Sequence, residues 1–135
     1  MTLDEALQGL SAQFGVPPGP PEKGGRHYYR FGDTTVGLAQ AQPEDFLCAR
    51  TWVGTVDMRD ESAVARVALG NMDLPVAPDA MLGMDGAGEV YLDMRLGGED
   101  MTHEQFLDAL ERLIGEAMRW KQTLGSVDTP DRQEG

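Results

Sequence analysis

The sequence is poor in the residues on which several functional classes depend. It contains one cysteine, Cys48, which has no partner for an intramolecular disulfide, and this is typical of proteins in a reducing cytoplasm. No apolar run approaches the roughly 20 residues that a membrane-spanning helix needs. The segment MTLDEALQGL has neither the basic cluster nor the apolar core of a secretory signal, so we expect none. These absences predict a cytoplasmic protein with no membrane partner.

Basic side chains are also scarce, because 11 Lys and Arg residues face 23 Asp and Glu residues, a formal net charge of −12. Nucleic acid and anionic lipid attract Lys and Arg, so this balance excludes both as partners. The charge is uneven: residues 26–56 sum to zero, whereas residues 57–100 carry ten acidic and three basic side chains. An acidic inhibitor that mimics nucleic acid stays open as an interpretation, and it requires carboxylates in a regular surface array.

The sequence contains enough hydrophobic residues to form an ordinary core. Hydrophobic residues make up 41% of the 135 residues, which argues against a disordered chain. A chain of this length normally forms one domain and buries about two thirds of its unfolded surface. We therefore predict a single domain over residues 1–125 and a disordered C-terminal tail over residues 126–135.

Three segments have the apolar spacing and the end signals of helices, and they cover residues 2–14, 59–71 and 103–124. The first and the third begin with Thr followed three residues later by Glu or Gln, the capping-box pattern, and each ends before a glycine. Asp60 can cap the second. The proline- and glycine-rich residues 15–25 predict an extended surface loop, although their PxxP spacing also occurs in peptide ligands.

Five segments show the two-residue period of strands. They cover residues 26–31, 34–40, 46–56, 80–84 and 89–96. The first two flank Gly32 and Asp33, which suit a type II′ hairpin turn. The order of elements is α-β-β-β-α-β-β-α, so we predict an α+β fold in which a twisted antiparallel sheet is flanked by helices.

No group of residues has the spacing of a catalytic or metal site. His27 and His103 lack a second ligand at metal spacing, and Cys48 lies among alternating apolar residues of a strand. Residues 83–88 resemble a phosphate loop but lack the Lys and the Ser or Thr that such a loop needs. We therefore predict that the protein is not an enzyme and uses no cofactor or metal.

Apolar residues of the first three strands occupy both alternating faces of the predicted sheet. They are Tyr28, Tyr29, Phe31, Leu38, Phe46 and Trp52. Helices on both faces would bury all of them, and the alternative is a groove for another polypeptide, which could pair with a sheet edge. The second helix offers a narrow stripe of small apolar residues, which fits either a core contact or a dimer contact. The stripe consists of Ala63, Val64, Val67 and Ala68.

The element order, the acidity and two C-terminal segments resemble one known family. The segments are GAGEVYLDMRL and FLDALERLIGEAMRWKQTL, and the family is the class I chaperones of bacterial type III secretion, the Tir chaperone (CesT-like) group. The resemblance covers about Leu3 to Leu124. The YbjN-like proteins have a similar architecture and are the second choice, with the role of an adaptor or stress-response domain that has no dedicated secretion cargo.

The resemblance implies a homodimer and a secreted effector as partner. The effector's N-terminal segment would be held extended around the dimer, soluble and competent for export. The second helix would form the subunit interface through Ala63, Val64, Val67 and Ala68. The first helix and the first sheet would form the effector-binding pockets, and the residues carried over to this role are Leu7, Leu10, Phe31, Leu38 and Phe46.

Overall fold

The computed structural model describes residues 1–15, 17, 20–22, 25–41, 46–70, 80–97 and 100–125. The elements are α1 (Leu3–Phe14), β1 (His27–Phe31), β2 (Thr34–Gln40), β3 (Phe46–Thr55), α2 (Glu61–Gly70), β4 (Ala80–Met84), β5 (Glu89–Gly97) and α3 (His103–Thr123). This is the predicted order. The predicted surface loop over residues 15–25 is described only in part, and the predicted tail over residues 126–135 lies outside the described residues.

All five strands join one antiparallel sheet in the order β1-β2-β3-β5-β4. The predicted α+β class is therefore confirmed. The strands β1 and β4 form the two edges, while β3 and β5 pair at the centre although α2 and β4 separate them in sequence. A bulge between Trp52 and Gly54 interrupts the register of β3 against β5.

The predicted helix starts are present in the structure. The Oγ1 atom of Thr2 accepts from the Glu5 backbone at 3.2 Å, and the Glu5 side chain accepts from the Thr2 backbone at 3.0 Å. Thr102 and Gln105 make the same reciprocal pair at the start of α3. At α2 the carboxylate of Asp60 accepts from the backbone N–H groups two and three residues ahead. Each cap satisfies N–H groups that the helix itself leaves unpaired.

The turn between β1 and β2 has the signs of φ that a type II′ turn predicts. Gly32 has φ 63°, and no described non-glycine residue has a positive φ, so Asp33 follows with a negative φ. A positive φ at the first central position alone is the mark of a type II′ turn. Phe31 pairs directly with Thr34, which leaves two residues in the loop.

One face of the sheet carries the core. Inward residues of the strands and the apolar faces of all three helices form a single cluster. Its largest fully buried members are Phe106, Leu10, Leu38, Leu47, Leu92, Leu113, Val36, Val53 and Val90. In the described part of the chain, the helices supply core residues to this face, here called the helix face. The opposite face is here called the open face. Because the described helices pack on one face, the arrangement differs from a sheet covered by helices on both sides.

The end of α2 packs very closely on α3 and β4 at Gly70. A Cβ atom at this position would lie 2.6 Å from Cζ2 of Trp120 and 2.6 Å from Cδ1 of Leu82, closer than carbon atoms approach without movement. Gly70 therefore allows α2 to settle against the Trp120 ring. Gly115 in the middle of α3 has open space around its Cα instead.

We predict opposite effects of the same substitution at these two glycines. Gly70→Ala should lower the free energy of unfolding by about 1–3 kcal/mol, because the new methyl group displaces Trp120 or Leu82. Gly115→Ala should raise it by about 0.5–1 kcal/mol, because alanine favours a helix interior over glycine. Urea denaturation measures both values. Equal effects of the two variants would contradict the close approach at Gly70.

Candidate functional site

A shallow pocket of about 420 Å³ lies on the outer side of α1. Four residues of α1 line it, together with Pro17 of the following loop. The residues from α1 are Asp4, Leu7, Gln8 and Ser11. Leu7 is buried in the protein yet forms part of the pocket wall, so the pocket presents a mainly apolar surface at the boundary of the core.

Two phenylalanines extend this surface toward the sheet. Phe14, the last residue of α1, is 51% exposed, and its ring meets the ring of Phe31 edge to face at 5.6 Å. Phe31 in turn stacks on Tyr29 at 6.5 Å. The hydroxyl of Tyr29 donates to the Leu7 carbonyl oxygen at 3.4 Å and lies 3.3 Å from Oγ of Ser11. These contacts fix α1 against β1 and leave an accessible aromatic surface between them.

The strand β1 borders this aromatic surface and is an edge of the sheet. In the described ranges β1 pairs with β2 alone, so its outer backbone groups face away from the sheet. The outer edge of such a strand can accept another strand through backbone hydrogen bonds. We call the pocket beside α1, the pair Phe14 and Phe31, and the outer edge of β1 the α1–β1 surface.

The open face of the sheet has a different chemistry. Arg50 and Asp93 lie directly opposite each other on β3 and β5 and form a two-point ion pair at 2.6 and 3.0 Å. The guanidinium of Arg50 also lies 5.0 Å from the centre of the Tyr91 ring, and Arg95 lies 5.2 Å from that of Phe46. Aromatic rings and arginines thus form a layer in which each cation already has a partner.

Two pKa values on the open face follow from this packing. The hydrogen bond that Arg50 donates to Asp93 is the largest influence on Arg50, and it raises the pKa of that guanidinium. Partial burial raises the pKa of the Tyr91 hydroxyl, and the nearby carboxylates of Asp85 and Glu89 act in the same direction. Both shifts favour the states already present at neutral pH, in which Arg50 is charged and Tyr91 is neutral.

Several of the described carboxylates serve turns, helix starts and ion pairs. Asp57 binds Arg59 in a turn, and the hydrogen bonds from Arg59 lower the pKa of Asp57. Asp60 caps α2, and Asp85 closes the turn between β4 and β5. This scattered placement does not support mimicry of nucleic acid. Within the described ranges, no group of three or more His, Cys, Asp or Glu side chains could hold a metal ion.

The five predicted effector-binding residues lie in three different parts of the structure. Leu7 and Phe31 belong to the α1–β1 surface. Leu10 and Leu38 are 0% and 1% exposed and pack in the core behind it. Phe46 projects from the open face, where Arg95 covers its ring. The role of all five in effector binding stays a prediction, and in this structure Leu7, Phe31 and Phe46 are the members that reach a surface.

The predicted interface residues of α2 are also split between core and surface. Val67 is 3% exposed and Ala63 packs against the core, so both stabilise the single chain. Val64 is half-buried and Ala68 is exposed. The role of these four residues in a dimer stays a prediction, which Val64 and Ala68 are placed to fulfil.

Reasoning from the sequence missed the most exposed apolar residues. Phe14 continues the helical spacing of the buried Leu10, so the spacing alone does not show that its ring is exposed. Gly15 ends α1 immediately after Phe14, and that end signal could have indicated that this ring lies at the rim of the helix. Leu69 is 60% exposed and Met81 is 62% exposed, and no end signal in the sequence indicates that either side chain is exposed.

The sequence matches the model of the Tir chaperone protein (CesT) family over residues 5–121. No curated protein matches the chain. In the described part of the chain, no helix has both the length and the apolar character that crossing a membrane requires.

Solved structures share the fold. A chain of the ExsC–ExsE complex gives a TM-score of 0.73 at 22% identity and covers 92% of this chain and 97% of its own. A chain of the ExoU–SpcU complex from the type III secretion system of Pseudomonas aeruginosa gives 0.64 at 16% identity, with coverage of 91% and 98%. YbjN from E. coli gives 0.62 at 14% identity, with coverage of 90% of each chain.

The structural likenesses establish the architecture, and the sequence match establishes the family, since it runs from the first helix to the last. This agrees with a molecule whose accessible features, in the described ranges, include apolar surface and a strand edge. The chain belongs to the Tir chaperone protein (CesT) family, which is a class of chaperones and not of enzymes.

Proposed function

We propose that this protein is a type III secretion chaperone that acts in the bacterial cytoplasm. It binds the N-terminal region of one cognate effector, holds that region extended and soluble, and keeps it competent for export. It performs no catalysis and needs no cofactor. Membership of the Tir chaperone protein (CesT) family supports the role, and related folds occur in chaperone–effector complexes such as HopA1–SchA.

The observation that carries the proposal is the α1–β1 surface. It combines the outer edge of β1 with an apolar pocket and the exposed ring of Phe14. An extended peptide added to β1 would gain backbone hydrogen bonds, while every second side chain would point to the helix face. This geometry supports recognition of an apolar segment in an extended conformation, which is the state that a chaperone of an exported chain must preserve.

The charge of the protein suits the same role. The chain carries a net charge of −12, and the segment of residues 26–56, which includes β1, is neutral. Mutual repulsion keeps an acidic protein soluble when its apolar surface is exposed between clients. The neutral segment lets apolar contacts form with an effector without a charge requirement. Salt should therefore weaken the complex little.

We predict that Phe14→Asp weakens effector binding by about tenfold to hundredfold, because the buried area of one large apolar side chain is lost. The probe is the N-terminal region of a candidate effector, chosen among secreted proteins encoded near this chain, co-expressed and then titrated calorimetrically. Met81→Asp is the matched control, since Met81 is similarly exposed but lies on β4, the opposite edge of the sheet. Equal loss in both variants, or none in Phe14→Asp, would exclude the α1–β1 surface.

The proposed chaperone is a homodimer that uses α2. The exposed side of this helix presents Val64 and Ala68 one turn apart, and small residues allow two helices to approach closely. The core contacts of Ala63 and Val67 hold the helix in place from the other side. Support for this interface rests on the apolar character of a helix surface that is otherwise exposed to water.

We predict that Val64→Asp combined with Ala68→Asp gives a monomer, because two like charges would face each other across the helix pair. Light scattering should then report the mass of one chain, 14.7 kDa, in place of a dimer. The control is Ser62→Asp with Ala65→Asp, which adds the same charge to a neighbouring side of α2 and should remain dimeric. A dimeric mass for the first pair of substitutions would place the interface elsewhere.

The alternative function is that of an adaptor without a dedicated secretion cargo. The fold shared with YbjN is the observation behind this second candidate. The co-expression experiment separates the two, since an adaptor would not co-purify with the N-terminal region of a neighbouring secreted protein. A chaperone would do so, and Phe14→Asp would abolish the co-purification.

A further inference from the structure

The chain enters β1 through a short antiparallel pairing. The backbone N–H of Glu22 donates to the Arg26 carbonyl oxygen at 2.8 Å, and that of Gly25 donates to the Glu22 carbonyl oxygen at 2.9 Å. Gly25 has φ 74°, the left-handed conformation in which a tight hairpin loop commonly returns to its strand. Glu22 and Arg26 thus form an antiparallel bridge immediately before β1 begins at His27.

The bridge lies on the side of β1 that faces away from β2. Phe31 and Thr34 flank a two-residue turn, so the backbone groups of Phe31 point to β2. Backbone groups alternate in direction along a strand, so those of Arg26, Tyr28 and Arg30 point to the outer edge. The hydrogen bond that the Arg26 carbonyl oxygen accepts in the bridge agrees with this assignment. An arriving strand would therefore pair with β1 at Tyr28 and Arg30.

Proline follows at the position where a continuation of the bridge would need a donor. Two residues before Glu22, the register of the bridge brings position 20 opposite Tyr28, with its backbone nitrogen directed at β1. The residue there is Pro20, which has no N–H and removes a hydrogen bond from a strand ladder. Sequence position 18, the next position of the same parity, is also a proline. Among the described residues the bridge is isolated.

The same segment borders the pocket beside α1. Pro17 lines that pocket together with Leu7 and other residues of α1. The described residues 17 and 20–22 therefore adjoin both parts of the α1–β1 surface, the pocket and the strand edge. All four are exposed, whereas Leu7 and Tyr29 behind them are buried. We call these four residues the proline strap.

We propose that the proline strap is an intramolecular competitor for the outer edge of β1. It occupies the edge next to the bridge and hinders strand addition by unsuitable chains, a protection for which proteins often use proline. An effector strand that pairs with Tyr28 and Arg30 displaces it, because such a strand supplies the N–H that Pro20 lacks. This inference rests on the proposed binding of an extended effector segment to the α1–β1 surface.

The strength of the competition depends on the missing donor. One backbone hydrogen bond changes an equilibrium constant by about twofold to tenfold. Pro20→Thr adds an N–H directed at the Tyr28 carbonyl oxygen, so it should strengthen the pairing of the strap by such a factor. Pro21→Thr is the matched control, because backbone direction alternates and its new N–H is directed away from β1.

The first measurement is amide hydrogen exchange of the two variants by NMR, without an effector. We expect the amide at position 20 in Pro20→Thr to exchange about threefold to tenfold more slowly than the amide at position 21 in Pro21→Thr. Each rate is compared with that of an unstructured peptide of the same sequence. Equal protection of the two amides overturns the pairing of the strap with β1.

The second measurement is calorimetric binding of the candidate effector fragment used to test the proposed function. Pro20→Thr should weaken binding by about threefold to tenfold, since the fragment must displace one more hydrogen bond. Pro21→Thr should bind like the wild type. A protected amide at position 20 together with unchanged affinity in Pro20→Thr would show that strap and effector do not compete, and the proposal would be wrong.

Release of the strap tests the opposite direction. Glu22→Pro removes the N–H that donates to Arg26 and should strengthen fragment binding by about twofold to tenfold. Glu22→Gln is the control, because it removes the same charge and keeps the N–H, and it should bind like the wild type. Weaker binding by Glu22→Pro, or an equal change in both variants, contradicts the competition.

These results separate the strap from the proposed function. Absence of fragment binding in the wild type contradicts the proposed function and the competition together. Normal binding in the wild type, with no weakening in Pro20→Thr, contradicts the competition alone.

Discussion

Burial of the helix face of the sheet is the constraint on which the other features depend. The central strands β3 and β5 pair at nine positions and alternate between buried and partly exposed residues. All three helices supply apolar residues to the buried side, and this concentrates the core there. As a consequence, in the described part of the chain the open face lies outside this core, and β1 and β4 are the edges of the sheet. The accessible surface of the protein is therefore set by where the helices pack.

Features with local causes were predictable from the sequence. The capping boxes at Thr2 and Thr102, the cap at Asp60 and the turn at Gly32 each depend on residues at most three positions apart. The element order and the α+β class follow from these signals together with the apolar periods. The resemblance to type III secretion chaperones had the same basis, and it agreed with the family match over residues 5–121.

Features with long-range causes were less accessible to this reasoning. Spacing assigns Phe14 and Leu10 to one helical stripe, but only the position of the sheet edge leaves Phe14 exposed and Leu10 buried. Similarly, no local pattern shows that Gly70 meets Trp120, because that contact joins helices 50 positions apart in sequence. The α1–β1 surface depends on contacts of this second kind.

Lys121 gives the edge strand a property that matters for partner binding. Its Nζ atom, on a side chain buried in the last turn of α3, donates to the Asp33 carbonyl oxygen at 2.9 Å and lies 3.5 Å from Oγ1 of Thr34. This ties the turn between β1 and β2 to the longest helix. A tethered hairpin has already lost the conformational freedom that strand addition would otherwise remove. The edge of β1 is thus preorganised, and the entropic cost of binding falls mainly on the arriving chain.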